Sequence, residues 1–165
     1  MMNIGRIYMG AIATSVAAAV SMPAMADGRM QVMTATPSQL QVTDSAAHTT
    51  GVAQIKGEYA KVLYGDPSKA NLYTVLLYIA PHKRIQPLSH PDDGFATVLS
   101  GHWYVGFGDK YDKSKLVMLP PGGIYNEPAN ANHFGETRDE AVTIAITRYG
   151  PSGTTYADPA DAPAK

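Results

Sequence analysis

The chain has no cysteine in 165 residues. That absence excludes a disulfide framework, a thiolate zinc ribbon, thioether attachment of haem and a thiol nucleophile. An excess of charge is also missing: 13 Lys and Arg stand against 14 Asp and Glu, a formal net charge of −1. Such a balance leaves no footprint for nucleic acid or for an anionic membrane surface. The nucleotide-binding templates are incomplete. "GFGD" at 106–109 lacks the third glycine and the following helix of a dinucleotide fingerprint, and "GDPSK" at 65–69 lacks the second glycine before the lysine of a P-loop. There is no Gly-x-Ser-x-Gly elbow. No window of helical period is long enough to cover a sheet.

An apolar stretch near the start, "AIATSVAAAV" (11–20), is too short to span a bilayer. It follows a single Arg6 and precedes "SMPAMA", where Ala24 and Ala26 form the small-x-small pattern that a signal peptidase accepts. Residues 1–26 read as a secretory signal cleaved after Ala26, so the mature protein is expected in the periplasm or outside the cell, free of the membrane. Loss of Arg6 changes the balance to 12 basic against 14 acidic residues, a net charge of −2. The remaining 165 − 26 = 139 residues fit one domain. Without disulfides, an exported domain of this size relies on its core, or on the core and a bound ion.

Residues 27–56 are polar and rich in Thr, Ser, Ala and Gln, and read as an extended N-terminal arm with a short helical turn opened by Pro37 and Ser38. Beyond them the character changes. Segments rich in β-branched and aromatic residues arrive at short intervals, at 59–65, 71–80, 95–101, 102–108, 115–120, 123–128 and 141–150, separated by turn signals such as "GDPSK", "HPDD" and "PPGG". In the last of them Val142, Ile144 and Ile146 alternate with Thr143, Ala145 and Thr147, the pattern of a half-buried strand. The expectation is an all-β sandwich or barrel over 57–150, followed by a Pro- and Gly-rich tail at 151–165.

Spacing separates the five histidines. His90 precedes Pro-Asp-Asp, and His133 follows "EPANAN" forty-three positions later. Imidazoles from two strands of a small barrel can converge on its interior, and imidazole is the commonest side-chain ligand for first-row metals. For either histidine alone, the competing reading is a turn residue bonded to backbone. His48, His82 and His102 read as solvent-facing. Trp103, Tyr104, Tyr125 and Phe134 are candidates to line a ligand pocket, against core packing as the alternative role. One of the adjacent pair Trp103 and Tyr104 points inward and the other outward.

"LSHPDDG" (88–94) with the glycine of "SG" (100–101), followed by "PPGGIYNEPANANHF" (120–134), resembles the two motifs of the cupin superfamily, and the resemblance extends over about Gly57 to Asp161. It implies a single cupin barrel, a jelly-roll or double-stranded β-helix, of an exported bacterial subgroup. With the first motif, G-x5-H-x-H-x3-E-x6-G, ending at Gly101, its ligand slots fall on Leu88, His90 and Gly94 and its opening glycine on His82. The second, G-x5-P-x-G-x2-H-x3-N, places its slots on Gly122, Pro128, Asn130, His133 and Thr137. Of four implied metal ligands two remain, His90 and His133, with Gln86 and Asp92 as candidate substitutes. The function this implies is a barrel that binds a small molecule, with a divalent Fe, Mn, Ni or Zn ion held weakly by His90 and His133. The alternative is a metal-dependent dioxygenase, isomerase, decarboxylase or lyase, and homodimerisation through an exposed edge strand is a further expectation.

Overall fold

In a computed structural model the described residues are 57–163, with 30, 32–40 and 42 upstream. The signal expected at 1–26 and most of the arm expected at 27–56, His48 included, lie outside them. Among the described residues ten strands form two antiparallel five-stranded sheets. The strands are β1 (Glu58–Tyr64), β2 (Leu72–Ile79), β3 (Arg84–Ser89), β4 (Gly94–Ser100), β5 (Trp103–Phe107), β6 (Val117–Leu119), β7 (Ile124–Glu127), β8 (His133–Glu136), β9 (Val142–Tyr149) and β10 (Thr155–Tyr156). One sheet has the order β1-β2-β9-β4-β7 and the other β10-β3-β8-β5-β6. This is the jelly-roll of the cupin fold.

The inner faces follow from period-2 patterning. Val142, Ile144 and Ile146 of β9, Val75, Leu77 and Ile79 of β2, Ala96 and Val98 of β4 and Trp103 and Val105 of β5 make one core between the sheets. The outer face of the first sheet is covered from upstream: Val42, with Met33 and Leu40, packs on Leu63, Leu76, Tyr59 and Tyr78. Residues 37–40 there form one turn of 3-10 helix.

Three strands lie where composition gave little warning, β3, β8 and, within the expected tail, β10; β8 begins at His133 and β3 ends just before His90. β3 is irregular. Its register with β8 shifts between Ile85 and Leu88, with Pro87 in between, so Ile85 and Leu88 are both buried and the strict alternation is broken. Left-handed backbone is found at each of the four positions where the cupin motifs have glycine: His82 (φ 58°), Gly101 (70°), Gly122 (85°) and Asn130 (62°). Asparagine tolerates that region better than other side chains do, which lets the turn before His133 form without glycine.

Candidate functional site

The turn after β3 and the turn before β8 are tied to each other. Asn130 N–H donates to the carbonyl of His90 at 2.7 Å, and Ala129 N–H donates to Asp93 Oδ1 at 2.8 Å. These bonds bring His90 and His133 together, with ring centroids 5.4 Å apart and ring planes tilted by 36°. Between them stands Glu127, the last residue of β7. Its carboxylate lies 3.4 Å from His133 Nε2 through Oε1 and 3.9 Å from His90 Nε2 through Oε2. One donor atom from each of the three residues falls within 4.8 Å of the others.

The protonation pattern makes this cluster electron-rich. His90 Nδ1 is 2.6 Å from the carbonyl of Gly153, and a carbonyl only accepts, so the proton sits on Nδ1 and the Nε2 lone pair faces Glu127. His133 Nδ1 contacts the Ala131 carbonyl at 3.5 Å in the same sense. Burial, with the nearby Arg148 cation, pushes the His90 imidazole down to about 3, and burial pushes His133 down to about 4. Both rings are therefore neutral at neutral pH. Two nitrogen lone pairs face the Glu127 carboxylate, whose Oε1 lies toward His133 and whose Oε2, toward His90, also accepts from Arg148, a donor set of the kind that holds a cation.

The donor set fits a divalent first-row ion. Ligands at about 2.1 Å in tetrahedral array stand roughly 3.4 Å apart, and one donor atom from each of the three residues lies within 4.8 Å of the others, so an ion would draw them closer together. Two imidazoles and one carboxylate suit zinc or iron, and three protein donors leave further positions for a small molecule.

Arg148 explains why the carboxylate comes from β7. Gly94 pairs with Glu127 on one side and with Arg148 on the other. A side chain at 94 would stand between these two. A Cβ there would lie 2.7 Å from Arg148 Cζ and 3.0 Å from both terminal nitrogens, so the guanidinium occupies the space that a side chain at 94 would take. From it, Nη2 donates to Glu127 Oε2 and Nη1 donates to the Asp92 carbonyl at 2.8 Å. The Asp92 carboxylate completes the network: it lies 3.6 Å from Nη1, accepts from the Tyr73 hydroxyl at 3.0 Å and accepts from Ser152 at 3.2 Å. Arg148, Glu127 and Asp92 are all 4–5% exposed, so this is a buried ion-pair network.

The sequence-derived candidates divide accordingly. His90 and His133 meet. Asp92 is buried nearby, with its carboxylate engaged by Arg148, Tyr73 and Ser152. Gln86 lies away from the cluster, because the bulge in β3 makes Ile85, Leu88 and His90 the cavity-lining positions. Trp103 and Tyr125 line the same cavity, of about 50 Å³, with Leu88, Val75, Leu77 and Ile146 as apolar wall. Trp103 is the inward member of its pair. Tyr104 lies under Arg138, 3.8 Å from its ring centroid, and Phe134 packs against Tyr111. His82 is exposed and His102 pairs with Glu140.

Glu127 and Arg148 were not among the sequence candidates, yet alternation reaches both. Tyr125 and Glu127 share a face of β7, and Arg148 continues the inward series Val142, Ile144, Ile146.

No family model matches this sequence, and no curated protein does. Solved structures match in fold. A chain from the crystal structures of two DMSP lyases superposes with a TM-score of 0.53 at 20% identity, over 61% of this chain and 53% of that one. A cupin 2 domain-containing protein from Halorhodospira halophila gives 0.51 at 18% identity, over 64% and 73%. A sugar phosphate isomerase of the cupin superfamily from Silicibacter pomeroyi gives 0.51 at 14% identity, over 68% and 76%. The chain thus spans about half the length of the lyase chain.

Proposed function

We propose that this is an exported cupin that holds a divalent ion through His90, Glu127 and His133 and binds a small organic molecule beside it in the barrel cavity. The observation that carries this reading is the convergence of two neutral Nε2 lone pairs on the Glu127 carboxylate. The third donor removes the main argument against retention of an ion, namely that two imidazoles alone bind too weakly to survive export and dilution. When bound, the ion would act as a Lewis acid or as an anchor for an oxygen-bearing ligand. The chain's own residues do the rest: Arg148 orients Glu127, the Gly153 carbonyl fixes the His90 tautomer, and the apolar wall keeps water out.

A catalytic reading is supported by a separate observation. Three protein donors leave ion positions open toward an enclosed cavity, the arrangement of catalytic rather than structural sites. Two fold neighbours are described as a DMSP lyase and a sugar phosphate isomerase, and Tyr125 lies in the wall of this chain's cavity.

The test is elemental analysis and metal titration of the mature chain. Near-stoichiometric zinc, iron, manganese or nickel, lowered at least tenfold in affinity by Glu127→Ala and by His133→Ala, is the expected result. Metal binding untouched by Glu127→Ala would overturn the assignment.

A further inference from the structure

After β9 the chain returns along the flank of the barrel, where β10 adds to β3 at one edge of its sheet and β1 is an edge of the other. The segment 151–157 is thinly held there. β10 has two paired positions, Thr155 with Ser89 and Tyr156 with Leu88, whereas every other strand pairing among the described residues has three to eight. Beyond that ladder, Ser152 N–H donates to the Pro67 carbonyl and Ala157 N–H to the Pro87 carbonyl, each at 2.8 Å. Tyr156, half-buried, is the one large side chain that the segment packs on the core. Stretches with few ladder bonds and little buried apolar area are the first to open locally.

The same segment is cavity wall. Ser152, Thr154 and Tyr156 line the cavity, while Gly153 and Thr155, alternating with them, do not. Toward β1 the wall continues at Glu58, and burial, followed by that carboxylate, raises the Tyr156 phenol to about 12. The cavity is small, about 50 Å³, so an organic molecule enters only if part of the wall moves. This segment is the part with the fewest bonds to break.

Its backbone also reaches the cluster. The Gly153 carbonyl, 2.6 Å from His90 Nδ1, keeps the proton on that nitrogen and leaves the Nε2 lone pair facing Glu127. Ser152 Oγ donates to Asp92 Oδ1 at 3.2 Å. Lifting the segment takes away the acceptor that fixes the His90 tautomer, so the ring is released as the cavity opens.

We propose that residues 151–157 are a strap that swings off β3 to admit and release the occupant of the cavity, and that its closure locks His90 in the ion-binding tautomer. The gate stands on the strap's own contacts. The coupling to His90 rests on the divalent-ion reading above.

Ser89 and Thr155 are partners across an antiparallel ladder, which sets their Cα atoms about 4.5–5.5 Å apart, within reach of a disulfide. Neither lines the cavity, and the chain has no cysteine of its own. Ser89→Cys with Thr155→Cys therefore staples the strap shut when oxidised and frees it on addition of a phosphine reductant. Thr155→Pro loosens it instead, because proline donates no N–H to the ladder. Two readouts separate the gate from the ion. Acrylamide quenching of Trp103, the one tryptophan and a cavity residue, reports access without any metal. Transfer of zinc from loaded mature protein to a chelator reports release.

The oxidised staple should lower the quenching constant about threefold and slow zinc transfer about tenfold, with wild-type values restored on reduction, and Thr155→Pro should raise both. Wild-type quenching in the oxidised staple, its bond confirmed by mass, or in a folded Thr155→Pro protein, would overturn the gate. Altered quenching with unaltered zinc transfer would overturn the coupling to His90. Failure of the wild-type chain to take up zinc would remove the reading beneath the coupling, and the quenching series would still decide the gate.

Discussion

Replacing Arg148 by methionine removes one cation from between two buried carboxylates and keeps most of the volume. Asp92 and Glu127 are each about 95% removed from solvent, so the variant leaves uncompensated charge in a low dielectric. The expected cost is about 3–5 kcal/mol, and at about 3 °C per kcal/mol for a domain of this size the midpoint falls by roughly 10–15 °C. Gly94→Ala should act through the same contact. Its Cβ would lie 2.7 Å from Arg148 Cζ, overpacking that costs about 1–3 kcal/mol and pushes the guanidinium off Glu127. In the Arg148→Met background the clash partner is gone, and Gly94→Ala should become nearly neutral. Thermal and urea unfolding of chelator-treated protein across the four members of this double-mutant cycle measures the coupling. Costs that add to within about 0.5 kcal/mol would show that the guanidinium does not occupy the space at position 94. Saturating zinc should offset part of the Arg148→Met loss, because the ion replaces the guanidinium as a partner of Glu127.

The pH response of the chelator-treated protein follows from the two buried imidazoles. Their folded values of about 3 and 4 lie below the ordinary 6.5, so the unfolded chain binds protons first as pH falls. Stability is full above about 6.5 and is lost as pH falls from there through about 4 for His133 and about 3 for His90, by up to about 1.4 kcal/mol per pH unit for each histidine. Melting curves from pH 7.5 to 5 should slope downward, and His133→Ala should flatten them. Gln86→Ala should leave zinc affinity within about twofold in a chelator competition, since that side chain lies away from the cluster. Protein recovered from the periplasm or medium of an expressing bacterium should begin at Asp27 by intact mass.

The strand segments were legible because β-branched alternation and turn residues declare themselves locally. His82 and Asn130 have left-handed backbone at positions where the resemblance implies glycine. The bulge in β3 was not legible, because it is defined by pairing with β8, a strand more than forty residues away. That single irregularity decides that Ile85 rather than Gln86 faces the cavity. Arg148 and Glu127 were hidden for a different reason. Period-2 reasoning reaches both positions, but charged residues on an inward face read as strand ends until their partners are known. The pairing of β4 with both β7 and β9, which makes the two neighbours across Gly94, is a property of the fold alone.

That pairing decides what stands at the two positions where the resemblance implies ligands. Gly94 carries no side chain, which leaves a lane through which Arg148 from β9 reaches Glu127 on β7, so the cluster's carboxylate comes from β7 with a cation that fixes its orientation. Leu88 acts differently: it pairs directly with His133 across β3 and β8 and lines the cavity, so it supplies apolar wall rather than a donor. A barrel selected only to keep its fold would have no reason to hold a buried arginine between two carboxylates, since well-packed apolar residues serve stability as well or better. The cost is understandable if the arginine's role is to present Glu127 to something that binds between His90 and His133.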